Sequence, residues 1–136
     1  MGARRKGRES AVQMLYQWEL TGEPVKKVLD SFKTLGEGSD ASRDFARYLV
    51  EGTLAHREEI DPLIEAQAEK WRIERMSTVD RNILRVAVYE LLFEPTPRTV
   101  VINEALEVTR RFSSEDAVAF VNGVLDGVRQ KLEPAR

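Results

Sequence analysis

The chain has 136 residues, of which 42% are hydrophobic, so it is long enough to bury a core as one domain spanning residues 1–136. It has no cysteine, which excludes disulfides and thiolate metal sites. No apolar run approaches the roughly 20 residues needed to cross a membrane, and no signal-peptide pattern follows the start. We therefore expect a soluble, cytoplasmic protein.

Charge is spread unevenly along the chain, although the formal net charge is only −2. Residues 1–8 contain Arg4, Arg5, Lys6 and Arg8 and no acid, whereas the rest carries 17 Lys and Arg against 23 Asp and Glu. A local basic segment on an acidic body is typical of an arm that docks on phosphates. Composition alone is equally consistent with a disordered basic tail.

Helical spacing dominates the sequence, beginning with a predicted first helix at about residues 4–20. One apolar stripe of this helix contains Met14, Leu15 and Trp18, and a second stripe contains Val12 and Tyr16. Each apolar stripe must pack against a neighbouring structural element. The second neighbour is either another helix of this chain or another protein that contacts Tyr16.

Three further helices are predicted before residue 72. The first covers 25–35, and the next begins at a cap formed by Asp40 or Ser42. The third covers Ile60 to Trp71, after a break near 57–60, because Pro62 is tolerated only in a first helical turn. His56 is the only histidine, so we interpret it as a helix-end residue rather than a ligand or a base.

The segment from Val79 to Phe93 is apolar over most of its circumference, which predicts the buried central helix of a bundle, capped by Ser77. Within it, Arg85 is predicted to be a paired structural residue. Two more helices follow, at 100–112 and from a Ser-Ser cap to about residue 132. The sequence thus predicts an all-α, single-domain bundle of about seven helices.

The last predicted helix carries an unusual flank. Phe120 lies about 100° from the apolar stripe around Val121 and shares that flank with Asp116, Gly123 and Gly127. Each interior glycine costs a helix roughly 1 kcal/mol relative to alanine. An off-stripe phenylalanine beside two missing side chains predicts a flat, partly apolar platform for a ligand or for a neighbouring backbone.

Known catalytic patterns are absent from the sequence. It contains no phosphate-cradling glycine loop, no metal-ligand spacing and no nucleophile–base set. Its paired carboxylates, such as Glu58 and Glu59, are interpreted as solvent-facing charge on helices. We therefore predict a binding protein that is not an enzyme and needs no cofactor and no metal.

Four motifs occur in order along the chain. They are Arg-Arg-x-x-Arg-Glu-x-Ala-Val-Gln-x-Leu-Tyr at 4–16, Ile-Leu-Arg-x-Ala-x-Tyr-Glu-Leu at 83–91, Val-x-Ile-Asn-Glu-Ala at 100–105 and Glu-Asp-x-x-x-Phe-Val-Asn-Gly-Val-Leu-Asp at 115–126. In these motifs and their intervals, the chain resembles the NusB family of bacterial transcription antitermination factors over nearly its whole length.

The resemblance implies an all-helical protein that binds the boxA element of ribosomal RNA leaders together with NusE, a small ribosomal subunit protein. It further implies that this complex acts with RNA polymerase to read through terminators. Carried over position by position, the RNA-binding residues are Arg4, Arg5, Arg8, Asp116 and Phe120. The NusE-binding residues are Tyr16, Glu74 and Asp80.

Two positions depart from the family pattern. Ala119 stands before Phe120, where relatives often have a basic or polar residue, which weakens any phosphate contact there. Arg75 follows Glu74 where an acid can stand, which changes the charge pattern of the NusE face.

Two other functions remain open from the sequence. The chain could be the RNA-recruiting domain of an rRNA cytosine methyltransferase, although its 136 residues leave no room for a domain that binds the methyl donor. It could also be a helical protein-binding adaptor, or a homodimer whose Tyr16 stripe is self-complementary.

Overall fold

The computed structural model describes residues 2–35, 38–68 and 72–133, and within these ranges the protein is all-helical, without a strand. One short 3₁₀ turn, Ile73–Arg75, precedes the fifth helix. The seven α-helices, in chain order, are α1 Gly2–Thr21, α2 Val25–Leu35, α3 Asp40–Ala55, α4 Arg57–Gln67, α5 Thr78–Phe93, α6 Arg98–Phe112 and α7 Glu115–Leu132.

Helix α5 is the centre of the bundle, as the sequence predicted. It packs against α1, α3, α4, α6 and α7. Its apolar residues Ile83, Leu84 and Val88 are at most 2% exposed. Burial of this kind contributes roughly 1.5–3 kcal/mol for each large aliphatic side chain, so α5 fixes the positions of the surrounding helices.

Serine caps set the starts of three helices. Ser77 Oγ accepts a hydrogen bond from the Asp80 amide, and Ser114 Oγ accepts one from the Ala117 amide, as predicted. The predicted cap of α3 at Asp40 or Ser42 is wrong, because Ser39 Oγ accepts from the Ser42 amide. Each such cap contributes about 1 kcal/mol.

His56 separates α3 from α4, which confirms its interpretation as a helix-end residue. Its backbone carbonyl accepts from the amides of Glu59 and Ile60, so α4 begins at Arg57, slightly before the predicted start at Ile60. Helix α4 ends at Gln67, before the predicted end at Trp71, which itself falls at 69–71, outside the described residues.

The basic segment belongs to a helix rather than to a disordered tail, since α1 begins at Gly2, two residues before the predicted start. Of the second stripe predicted on α1, Val12 is buried within the chain, whereas Tyr16 is exposed. None of the helices in the described ranges has the length and apolar character of a membrane span.

Candidate functional site

Arg8 does not lie on the surface with the rest of the basic segment. Its guanidinium donates to both carboxylate oxygens of Glu90 in α5, at 2.9 Å and 2.8 Å, and its side chain is only 6% exposed. Glu104 of α6 adds a second carboxylate at 3.7 Å. Arg8 thus joins α1, α5 and α6 through a buried, bidentate ion pair.

Arg5 forms a second bidentate pair, nearer the surface. It donates from Nε and Nη2 to the carboxylate of Glu104 at 3.0 Å and 2.8 Å. These hydrogen bonds hold the pKa of Glu104 below its ordinary value. Helical spacing places Glu104 outward on α6, but the residue is buried because two arginines of α1 cover it.

Arg4 is the most available of the three arginines, with 56% of its side chain exposed. Its guanidinium lies 4.5 Å from the ring centroid of Phe45 and 3.5 Å from a carboxylate oxygen of Glu94. Availability for a phosphate therefore decreases from Arg4 through Arg5 to Arg8.

Phe120 on α7 is half-buried and packs against the hydrophobic core, while Asp116 one turn earlier is exposed. A methyl group added at Gly123 would meet open space, which leaves the surface beside Phe120 bare. Gly127 does not extend that surface, because a methyl group there would overlap with the side chain of Gln67 in α4. The platform is thus shorter than predicted and consists of Phe120 and Gly123.

The predicted RNA-binding residues fall on two helices, α1 and α7. Helix α6 packs against both of them. Among the residues that the structure describes, no ring or cation–π contact joins Phe120 to Arg4, Arg5 or Arg8. A ligand that touches both the arginines and Phe120 must therefore extend across the surface near α6.

The predicted partner residues come from α1, the 3₁₀ turn and α5. Tyr16 is 40% exposed, and Glu74 and its neighbour Arg75 are exposed on the 3₁₀ turn. Asp80 is half-buried in the first turn of α5, and its Oδ1 atom is buried without a hydrogen-bond partner within the described ranges. The exposed part of the Asp80 side chain, rather than this buried oxygen, is therefore the part that a partner can reach.

Sequence reasoning missed an ion-pair network beside this face. Arg85 donates to Asp61 at 2.9 Å and 3.1 Å and to Glu19 at 2.9 Å, which confirms its predicted structural role. Burial raises the pKa of Glu19, but hydrogen bonds from Arg81 and Asn82 outweigh it and leave the pKa lowered. The network borders an open cleft of about 380 Å³ lined by Trp18, Glu19, Arg57, Asp61, Ile73, Glu74, Arg81 and Arg85.

A signal for the buried pairs does exist in the sequence. Glu90 lies within the apolar central helix, and a carboxylate in such a position requires a buried cation. The identity of that cation is not readable, because Arg8 lies 82 positions away. In the described part of the chain no cluster of three or more potential metal ligands occurs.

Comparison with known proteins agrees with this architecture. The family model for the NusB family matches residues 5–130. The transcription antitermination protein NusB of Myxococcus xanthus is 49% identical over 134 residues, covering 94% of this chain and 95% of that protein. NusB of Solibacter usitatus is 47% identical, covering 97% of this chain and 92% of that protein.

Two solved structures share the fold. The NusB chain in a crystal structure of NusB and NusE in complex with dsRNA has a TM-score of 0.86 and 30% identity, covering 96% of this chain and 98% of that chain. A structure of T. maritima NusB has a TM-score of 0.85 and 37% identity, covering 96% of this chain and 93% of that chain.

Fold and comparisons together define a class, the all-helical transcription antitermination factors, which are not enzymes. Within that class, the chain belongs to the NusB family.

Proposed function

We propose that this chain binds boxA-type single-stranded RNA of ribosomal RNA leaders together with NusE, and that the complex promotes terminator read-through by RNA polymerase. The observation that carries the proposal is the fold match, over 96% of this chain, to a NusB solved with NusE in complex with dsRNA.

The RNA surface in this proposal begins at Arg4 and Arg5 and extends to Phe120 and Asp116. Arginines neutralise phosphates and release counterions, and bases stack on aromatic rings for roughly 1–3 kcal/mol each. Asp116 is exposed beside Phe120, where a carboxylate can accept from a base amino group or a ribose hydroxyl. Arg8 acts indirectly, since its buried pair with Glu90 holds the start of α1 in place.

NusE binds at Tyr16, Glu74 and Asp80 in this proposal. A partially exposed tyrosine supplies apolar area and a hydroxyl, which suits a protein interface. The two carboxylates attract a basic partner, as expected for a ribosomal protein that also contacts RNA. Arg75 moderates that attraction beside Glu74.

A reconstituted transcription reaction tests the proposal. The template carries a boxA-type leader followed by a terminator, and purified chain and NusE are added to RNA polymerase with its other elongation factors. We expect read-through to rise only when both proteins and an intact boxA are present. A matched template with scrambled boxA is the control.

Tyr16→Asp tests the NusE face in the same reaction. It introduces a charge at the proposed interface, so read-through should be lost while binding of free RNA by the chain is retained. Equal read-through with and without boxA, or with Tyr16→Asp and the unmodified chain, would reject the proposal.

A further inference from the structure

A row of aromatic side chains lies on the surface next to Arg4. Phe45 stacks on Tyr48 with ring centroids 6.2 Å apart, and Tyr48 meets Tyr89 edge-on at 5.7 Å. Phe93 lies 5.2 Å from Tyr89, and His56 lies 4.2 Å from Phe93. We call these five residues, from α3, α5 and the joint at His56, the aromatic row.

Two members of the row expose much of their rings. Tyr48 and Phe93 are each 41% exposed, whereas Tyr89 is buried beneath them. The floor is closely packed, since a methyl group added at Gly52 in α3 would overlap with the Tyr89 ring. The two partly exposed side chains are therefore held in place by the fold and present surface to a ligand.

The row continues directly from the proposed RNA surface. Arg4, its most exposed arginine, lies over Phe45, the first ring of the row. Glu94 forms an ion pair with Arg4 and accepts a hydrogen bond from the Tyr48 hydroxyl at 2.7 Å. The carboxylate beside these rings is therefore paired and largely buried. At the far end His56 contacts the exposed Glu59 at 2.8 Å. The row therefore has a positive charge at one end, from Arg4, and a negative charge at the other, from Glu59.

We infer that Tyr48 and Phe93 form a second RNA-stacking site, which binds nucleotides flanking the element held by Arg4, Arg5 and Phe120. This inference rests on the proposed RNA-binding function and extends its surface beyond the residues assigned to it. Aromatic rings beside a cation are the composition that binds single-stranded nucleic acid with little dependence on sequence, because every base has a stacking face.

RNA fits the row better than a protein does, because of its position. A nucleic acid held at Arg4 and Arg5 must leave that site in one direction or the other, and the ring of Phe45 under the Arg4 guanidinium begins the row on one side. Tyr48 and Phe93 lie further along the row that begins with Phe45 beneath Arg4. The flanking bases stack on the rings while their phosphates stay near the Arg4 end, away from Glu59.

The test compares two RNAs on the full chain. One contains the boxA-type element alone, and the other has the same element extended on both sides by unpaired uridines. Both are titrated by fluorescence anisotropy with the unmodified chain, with a Tyr48→Leu/Phe93→Leu variant and with a Tyr48→Phe/Phe93→Tyr variant. The first variant removes the rings but keeps apolar side chains, and the second keeps the rings.

We expect the extended RNA to bind the unmodified chain more tightly than the short RNA does. The Leu variant should lose at least about fivefold in affinity for the extended RNA and leave the short RNA unchanged, while the ring-retaining variant should match the unmodified chain. Leu20→Ala, at a residue 59% exposed near the end of α1 that is distant from Arg4 and Arg5, controls for the loss of exposed apolar surface and should change neither affinity.

Other outcomes would overturn the inference. It fails if the Leu variant binds the extended RNA as the unmodified chain does, or loses both RNAs equally, since equal loss indicates a damaged arm or fold. It also fails if, in a parallel pull-down with NusE, that variant no longer retains NusE while its affinity for both RNAs is unchanged, which would make the row a protein surface. The proposed function fails separately, if the unmodified chain does not prefer the boxA-type element over a scrambled one.

Discussion

Arg8 and Glu90 form a buried, bidentate ion pair between the first helix and the central helix, with N–O distances of 2.9 Å and 2.8 Å. Arg8 was expected on the RNA surface from its place in the basic segment, beside Arg4 and Arg5. The pair instead makes the position of the arginine-bearing turns depend on the core. Arg8 thereby positions Arg4 and Arg5.

Arg8→Ala should destabilise the fold severely. Removing one partner of a buried pair leaves an unpaired buried charge, which costs about 3–5 kcal/mol. Urea denaturation followed by circular dichroism measures the loss. Arg4→Ala is the matched control, because its exposed pair with Glu94 contributes only about 0–1 kcal/mol. Comparable stability losses for the two variants would contradict the burial argument.

Arg4→Gln should reduce the salt dependence of RNA binding. Each neutralised phosphate of a single strand contributes about 0.7 to the slope of log affinity against log salt concentration, so removing one contact should lower the slope by roughly that amount. Titrations at several salt concentrations measure it. Lys26→Gln removes an exposed charge on α2 and should leave the slope unchanged. Equal slopes for Arg4→Gln and the unmodified chain would remove Arg4 from the RNA site.

Phe120 should contribute to RNA binding through its ring. Phe120→Leu keeps an apolar side chain against the core but cannot stack, so we expect affinity for boxA-type RNA to fall by about 1–3 kcal/mol with little loss of stability. Phe120→Ala should show the same loss of affinity with a larger loss of stability, because the residue is half-buried in the core. If both variants lose stability but bind RNA normally, Phe120 is only a core residue.

Two glycines should respond oppositely to alanine. Gly123→Ala should raise the free energy of unfolding by about 0.5–1 kcal/mol, since its site is open and helical. Gly52→Ala should lower it by about 1–3 kcal/mol, because the ring of Tyr89, the buried member of the aromatic row, must move. Thermal melts of both variants check this, and stabilisation by Gly52→Ala would show that the row is loosely packed.

Periodicity predicted the fold well, because the burial of α5 and the serine caps at Ser77 and Ser114 depend on residues close together in the chain. It also predicted that Arg85 is a paired residue. The outward position that helical spacing gives Glu104 on α6 is wrong for a physical reason: helical spacing identifies the face of a residue but not the arginines that cover it. Both arginines lie on α1, and Arg5 is 99 positions earlier in the chain than Glu104.

The candidate site, too, was predictable only where it depends on residues of a single helix. Helical spacing placed Phe120 off the apolar stripe around Val121, and Phe120 is half-buried, which fits a position on the flank of that stripe. The role of Gly127 depends on Gln67 in another helix and could not be read locally. The aromatic row could not be predicted from the sequence, because its members come from α3, α5 and the joint between α3 and α4 and meet only in the folded protein.

The central claim is that this chain recognises boxA-type RNA jointly with NusE. The most direct measurement is the affinity of the chain for boxA-type RNA and for a scrambled RNA of equal composition, each with and without NusE. We predict that the boxA-type RNA binds more tightly and that NusE widens the difference. Equal affinities for the two RNAs in the presence of NusE would contradict the claim.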